Sequence, residues 1–242
     1  MTLTLRGPFV TIEPTALGLQ KRLGPRALAD AEARAGLVRE ADILAALAGR
    51  HAPRLLSRDD EAPSFVMEVI RGRPLDAFVD VEIARACFAA LASIHEASDA
   101  YGALGIVHGD VSPANVLVED TARVVYLDFG LARFRGGAPP RDGAFRGTVG
   151  FVAPEIARGE PGTPESDVFA LAASLLTAAM GRPLRRATGL HAAIVEAADE
   201  PIAVPDAPER VRPLVHALAP CLALDPRARP ATARAVLEVL LC

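Results

Sequence analysis

Lysine is almost missing from this chain. Lys21 is the only lysine among 26 basic residues, and the rest are arginine. So strong a preference for arginine makes the surviving lysine a candidate functional residue, with chance retention as the alternative, and its position decides between them. Other scarcities narrow the class. The three cysteines, Cys87, Cys221 and Cys242, are far apart and odd in number, which excludes a disulfide framework and fits reduced thiols in the cytoplasm. No basic tract is present, and acid and base are intermixed at a net charge of −4, so neither nucleic acid nor a membrane surface is an expected partner. The opening MTLTLRGPF lacks the charged-then-apolar order of a signal peptide. The longest apolar run, Val168 to Met180, is interrupted by Ser174 and Thr177; it is too short to span a bilayer and reads as a buried core helix. There is no internal repeat and no low-complexity tail.

What is present is a globular composition: 51% hydrophobic over 242 residues, enough for one two-lobed domain or two small ones. Residues 2–5, 9–13 and 16–22 read as three short strands, with turns at Arg6-Gly7-Pro8 and Pro14-Thr15. Gly24-Pro25 opens a helix of roughly 23 residues that ends near Gly49. Leu37, Ile43, Leu44 and Leu47 give it an apolar face. Two more strands follow at 54–58 and 64–70, separated by Asp59-Asp60-Glu61. The expected fold class is α+β: an N-terminal sheet lobe over 1–70, a hinge over 71–74 with Gly72-Arg73-Pro74, and a mainly helical lobe over 75–242. Helices are expected near 75–79, 81–98, 165–180, 188–199, 207–222 and 231–241.

Residues 106–131 carry the chemistry. Asp110 lies in a loop after an apolar helix. Asn115 leads into a buried strand, Val116 to Val118, and Thr121 to Arg123 turn the chain into a second strand, Val124 to Leu127. Asp128-Phe129-Gly130 follows. A hairpin of that size carries Asn115 and Asp128 to neighbouring positions. Phosphoryl transfer needs such a set: oxygen ligands for magnesium and a carboxylate to orient the attacking hydroxyl. His108 reads as packing under the loop rather than as a catalyst, and Gly130 as permitting the turn.

His108-Gly109-Asp110, the five-residue step to Asn115 and Asp128-Phe129-Gly130 resemble the catalytic and metal-binding loops of the protein kinase superfamily. The resemblance covers nearly the whole chain. It implies a two-lobe kinase-like fold, ATP and Mg2+ as cofactors, Asp110 as base, and Asn115 and Asp128 as metal ligands. Lys21 would hold the α- and β-phosphates, and Glu40, 19 residues later on the long helix, would hold Lys21; Glu32, two turns earlier on the same face, is the competing carboxylate. Phe65 to Ile70 resemble the adenine-pairing strand and linker, with Met67 as gatekeeper and the Glu68 carbonyl and Ile70 amide on the adenine edge. Leu117 joins the cofactor-binding set. Gly147 to Glu155 resemble the loop of Ser/Thr kinases that supports an extended protein or peptide substrate. Asp167 looks like the residue that ties down the catalytic loop, and Arg229 like the partner of Glu155.

Four departures qualify the match. There is no phosphate-covering glycine-rich loop, since only Arg6-Gly7-Pro8 separates the first two strands, so the lid is short or missing and either weaker nucleotide affinity or an activating partner that completes the site is expected. Leu19 stands where a small residue usually lies over adenine. Ser112 replaces the catalytic-loop lysine. Gly109 replaces the arginine that grips a phosphorylated loop, and residues 131–146 contain no Ser, Thr or Tyr. Three functions fit: a Ser/Thr protein kinase, a nucleotide-binding pseudokinase, or a phosphotransferase for a small molecule or dedicated peptide. HGDVSPAN also resembles aminoglycoside phosphotransferases and lanthipeptide synthetase kinase domains.

Overall fold

The computed structural model describes residues 5–6, 9–59, 61–75, 79–140, 147–204 and 206–240. The sheet lobe contains β1 (Leu5–Arg6), β2 (Val10–Pro14), β3 (Leu19–Leu23), α1 (Ala31–Leu47), β4 (Leu55–Asp59) and β5 (Ser64–Met67). The five strands are antiparallel in the order β1-β2-β3-β5-β4. Leu37, Ile43, Leu44 and Leu47 are all buried, as their spacing predicts. The helix starts later than its sequence signal. Gly24-Pro25 opens a run of turns, and Asp30 caps the true start by accepting from the Glu32 and Ala33 N–H groups at 2.9 and 3.3 Å. A short polar side chain satisfies two of the unbonded amides of a first turn, which the proline cannot do.

Lys21 is the central residue of β3, whereas the strand expected over 16–22 put it next to the end. Residues 72–74, expected as hinge, form β6 (Gly72–Pro74) instead. It pairs with β9 (Val116–Glu119), which pairs in turn with β10 (Val124–Tyr126). The crossing between lobes is therefore the segment 68–71. The expected helix at 75–79 falls partly on residues 76–78, outside the described residues.

The second lobe is built on α2 (Val81–His95) and α4 (Pro164–Met180). Between them lie the hairpin β7 (Ser98–Asp99) with β8 (Gly102–Ala103), the β9–β10 hairpin, and the short α3 (Pro154–Ala157). α5 (Leu190–Asp199), α6 (Arg212–Leu218) and α7 (Ala233–Leu240) complete it. The expected helix over 207–222 is broken into α6 flanked by 3-10 turns at Glu209–Val211 and Ala219–Leu222. Pro213 and Pro220 each lack the N–H that a continuous helix requires at those points. α4 is apolar on every side and buried nearly throughout, as a helix in the centre of a lobe must be. No helix among the described residues is long and apolar enough to cross a membrane.

Candidate active site

Three elements meet at Lys21. Its ammonium lies 2.6 Å from Glu40 Oε2 on α1 and 3.0 Å from Asp128 Oδ1 after β10. Lys21 and Glu40 are buried, while the Asp128 side chain is 52% exposed, so one face of the carboxylate is open to a ligand. The competing carboxylate, Glu32, goes elsewhere, to Arg39 at 3.5 Å. Burial alone would lower the Lys21 pKa, but Glu40 and Asp128 together raise it, so the cation is fixed. Burial pushes the Glu40 carboxyl up to about 7 against the pull of Lys21. Burial also works to raise Asp128, and the Lys21 ammonium overrides it, holding that carboxyl below its ordinary value.

Directly opposed residues on antiparallel strands share a face. Ile12 and Phe65 flank Lys21, and Pro14 and Met67 flank Leu19. Successive side chains alternate, so Leu19 and Lys21 share that face too. Met67 and Leu19 thus lie on the side that carries Lys21. The Glu68 N–H donates to the Arg54 carbonyl at 2.9 Å. The Glu68 carbonyl and Ile70 amide make no hydrogen bond among the described residues. Leu117 is half-buried on β9, opposite Pro74. A cavity of about 410 Å³ opens beside the lysine, lined by Lys21, Glu40, Asp128, Leu23, Leu37 and Phe9 among others.

The β9–β10 hairpin does what its length predicts. The Leu127 N–H bonds the Asn115 carbonyl at 2.8 Å, which brings Asn115 beside Asp128. The Asn115 amide nitrogen donates to the Asp110 carbonyl at 3.0 Å and to Asp110 Oδ2 at 3.2 Å. Both donors are thereby used on Asp110, and the amide oxygen, which bonds nothing among the described residues, is left for a cation. Two oxygen donors, from Asn115 and Asp128, suit a hard ion such as magnesium.

The loop that carries Asp110 is fixed from below. Asp167, in the first turn of α4, accepts from the His108 N–H at 2.6 Å, the Gly109 N–H at 2.9 Å and His95 Nε2 at 3.0 Å. Burial would raise the Asp167 carboxyl, yet these bonds hold it below its ordinary value. His108 is fully buried. Its Nε2 faces the Leu127 carbonyl at 3.0 Å and its Nδ1 the Asp110 N–H at 3.2 Å. A carbonyl only accepts and an amide only donates, so the ring carries its proton on Nε2 and is a packed strut. Gly109 has φ +79, and a Cβ there would meet the Leu131 carbonyl at 2.7 Å. An L-residue is strained in that conformation and has no room beside it. Ser112, which stands in the place of the catalytic-loop lysine, is buried.

Beyond the catalytic-type loop, Glu155 and Arg229 form a buried pair with two parallel bonds of 2.7 and 2.8 Å, and Ser166 Oγ donates to Glu155 at 2.6 Å. Two residues unremarked in the sequence, Arg39 and Arg185, and Thr148 of the 147–155 loop lie beside these groups. Arg39 on α1 donates to the Ala138 carbonyl at 2.8 Å and also bonds the Gly130 carbonyl. Thr148 bonds Asp110 through both its N–H and its hydroxyl. Arg185 bonds the Val149 and Val152 carbonyls. An arginine beside a helix glutamate reads as solvent-facing, so no local pattern announced Arg39.

A two-lobe α+β fold with a buried strand lysine held by a helix glutamate, facing a hairpin that presents Asn115 and Asp128, defines the kinase-like class of phosphotransferases. The protein kinase domain family matches residues 25–240, and the chain belongs to that family. It is 31% identical over 224 residues to PkwA of Thermomonospora curvata, named as a "Probable serine/threonine-protein kinase"; the match covers 87% of this chain and 29% of that protein. It is 35% identical over 142 residues to the serine/threonine-protein kinase PknK of Mycobacterium tuberculosis, covering 57% of this chain and 13% of that one. It is 33% identical over 157 residues to the serine/threonine-protein kinase PknA of the same species, covering 62% and 36%. The chain thus spans well under half the length of these relatives.

Proposed function

We propose that this chain transfers phosphate from ATP, with Mg2+, to Ser or Thr hydroxyls of a protein or peptide. The observation that carries the reading is the Lys21 ammonium bridging Glu40 and Asp128 at 2.6 and 3.0 Å. The pair exists only when α1 is packed inward and the segment after β10 is turned toward the lysine. Lys21 would hold the α- and β-phosphates. Asn115 and Asp128 would hold the metal, and the Glu68 carbonyl and Ile70 amide, beside Met67 and Leu117, the adenine edge. Bound ATP supplies the phosphoryl group and magnesium neutralises its charge. Asp110 would orient or accept the hydroxyl proton, with Asn115 steadying it.

The acceptor-side loop from Gly147 to Glu155, anchored at both ends, favours a protein or peptide over a small molecule. A cytoplasmic setting, and a partner that covers the phosphates in place of the missing glycine-rich loop, belong to the same proposal. The test is labelled ATP with magnesium and a generic basic protein as acceptor. Transfer by the wild type that Asp110→Asn abolishes supports the reading. Nucleotide-dependent thermal stabilisation without any transfer would instead make the chain a scaffold.

A further inference from the structure

Arg185 lies in the connection between α4 and α5 and is 9% exposed. Its Nη1 donates to the Val149 carbonyl at 3.1 Å and the Val152 carbonyl at 2.7 Å. Its Nη2 donates to the Ala197 carbonyl in the last turn of α5 at 3.3 Å. The guanidinium carbon sits 5.5 Å from the centroid of the Phe169 ring, and that of Arg229 sits 4.9 Å from the same ring. Nε is buried and has no hydrogen-bond partner among the described residues. Burial lowers the guanidinium pKa to about 10, so the group stays charged at neutral pH.

A buried cation whose hydrogen bonds all go to carbonyls, with Glu196 as the carboxylate acting on it through space, costs more than an apolar side chain of the same size would. What its bonds achieve is local. The acceptor-side loop is tied at one end by Thr148 to Asp110 and at the other by Glu155 to Arg229. Between those ties, the Phe151 and Val152 N–H groups bond the Thr148 carbonyl in a turn. A Cβ on Gly150 would meet nothing within 4 Å. Arg185 takes the two carbonyls on either side of Gly150-Phe151 and fixes their direction. Glu196 fixes the backbone beside Arg185 in turn, accepting from the Arg186 and Ala187 N–H groups at 2.8 and 2.9 Å.

We propose that Arg185 is a positioning residue for the phosphate acceptor: it shapes residues 149–152, against which an extended peptide would lie, and so governs acceptor binding without touching the nucleotide. This rests on the phosphotransferase reading above. The experiment compares wild type, Arg185→Met and Arg185→Lys. Expected for Arg185→Met is an acceptor KM raised about tenfold, the size of losing hydrogen bonds from one charged donor, with ATP KM and nucleotide-induced thermal stabilisation unchanged. Arg185→Lys, whose ammonium reaches one carbonyl at a time, should fall between. Amide hydrogen exchange, read without acceptor, should quicken at 149–153 in Arg185→Met and not around Lys21. An unchanged acceptor KM, an equal loss toward ATP and acceptor, or unaltered exchange in the loop overturns the proposal. Should Arg185→Met fail to fold, Arg185→Lys carries the same three readouts. A wild type that transfers to no acceptor sinks the phosphotransferase reading and the acceptor half of this one, and the exchange measurement still decides the positioning half.

Discussion

The Thr148 hydroxyl and the Thr148 N–H both donate to a single oxygen of Asp110, at 2.9 Å each. The bond makes Thr148 a poor place for an activating phosphate. Phosphorylation removes the hydroxyl donor and sets a charge of about −2 against a carboxylate. Residues 131–146 offer no hydroxyl at all, and Arg39 already ties α1 to the Ala138 carbonyl at 2.8 Å.

Phosphorylation at Thr148 is therefore expected to inactivate. Thr148→Glu should lose transfer, Thr148→Ala should lose about tenfold, the size of one hydrogen bond to a charged group, and Thr148→Ser should keep most of it. Rates on singly phosphorylated protein provide the check, and a rise in rate would count against the idea.

Lys21→Met should abolish transfer. The substitution leaves Glu40 buried beside Asp128 with no cation between them, and breaking a buried pair costs about 3–5 kcal/mol. The melting temperature should drop and ATP with magnesium should no longer raise it. Glu40→Gln is expected to be milder, because Asp128 still holds the ammonium at 3.0 Å. Thermal shift with and without nucleotide separates the two.

Glu155→Gln should destabilise at neutral pH by an amount that shrinks in acid. Burial works to raise the Glu155 carboxyl, but Arg229 and Ser166 hold it below its ordinary value of 4.5. A folded pKa below the unfolded one stabilises above the unfolded value, and that stabilisation is lost as pH falls through the folded value. The difference between wild type and variant, measured by urea unfolding, should thus be full at pH 7 and decline below pH 4.5. A difference that stays constant as the pH falls well below 4.5 would show that the charge is not what Arg229 recognises.

Leu19→Ala should lower the KM for ATP. Leu19 lies opposite Pro14 and Met67, on the face that carries Lys21, and relieving a crowded contact is worth about 1 kcal/mol, roughly fivefold. Acceptor KM should not move. Weaker ATP binding would make Leu19 a wall that the purine uses rather than an obstruction.

The sequence by itself pointed to the family, which the match over residues 25–240 shows. Asp110, Asn115 and Asp128 could be named because a hairpin's length sets which residues meet, a local rule that the Leu127–Asn115 bond obeys. Lys21 stood out by composition, and Glu40 by its resemblance to the kinase-family helix glutamate, 19 residues after the lysine. Element boundaries were less legible: the start of α1 depended on a cap at Asp30 rather than on Gly24-Pro25, and residues 72–74 became β6 because β9, more than 40 positions away, offered an edge. Only the tertiary structure decided between the two candidate carboxylates for Lys21. Glu32 and Glu40 share a helix face, and the packing of α1 against β3 gives Lys21 to Glu40 and Arg39 to Glu32. Arg39, Thr148 and Arg185 bond backbone or side chains 33 to 99 positions away. The acceptors of Arg39 and Arg185 are backbone carbonyls, which have no residue type, so no sequence pattern records them; the Thr148–Asp110 bond spans 38 positions and exists only once the chain is folded.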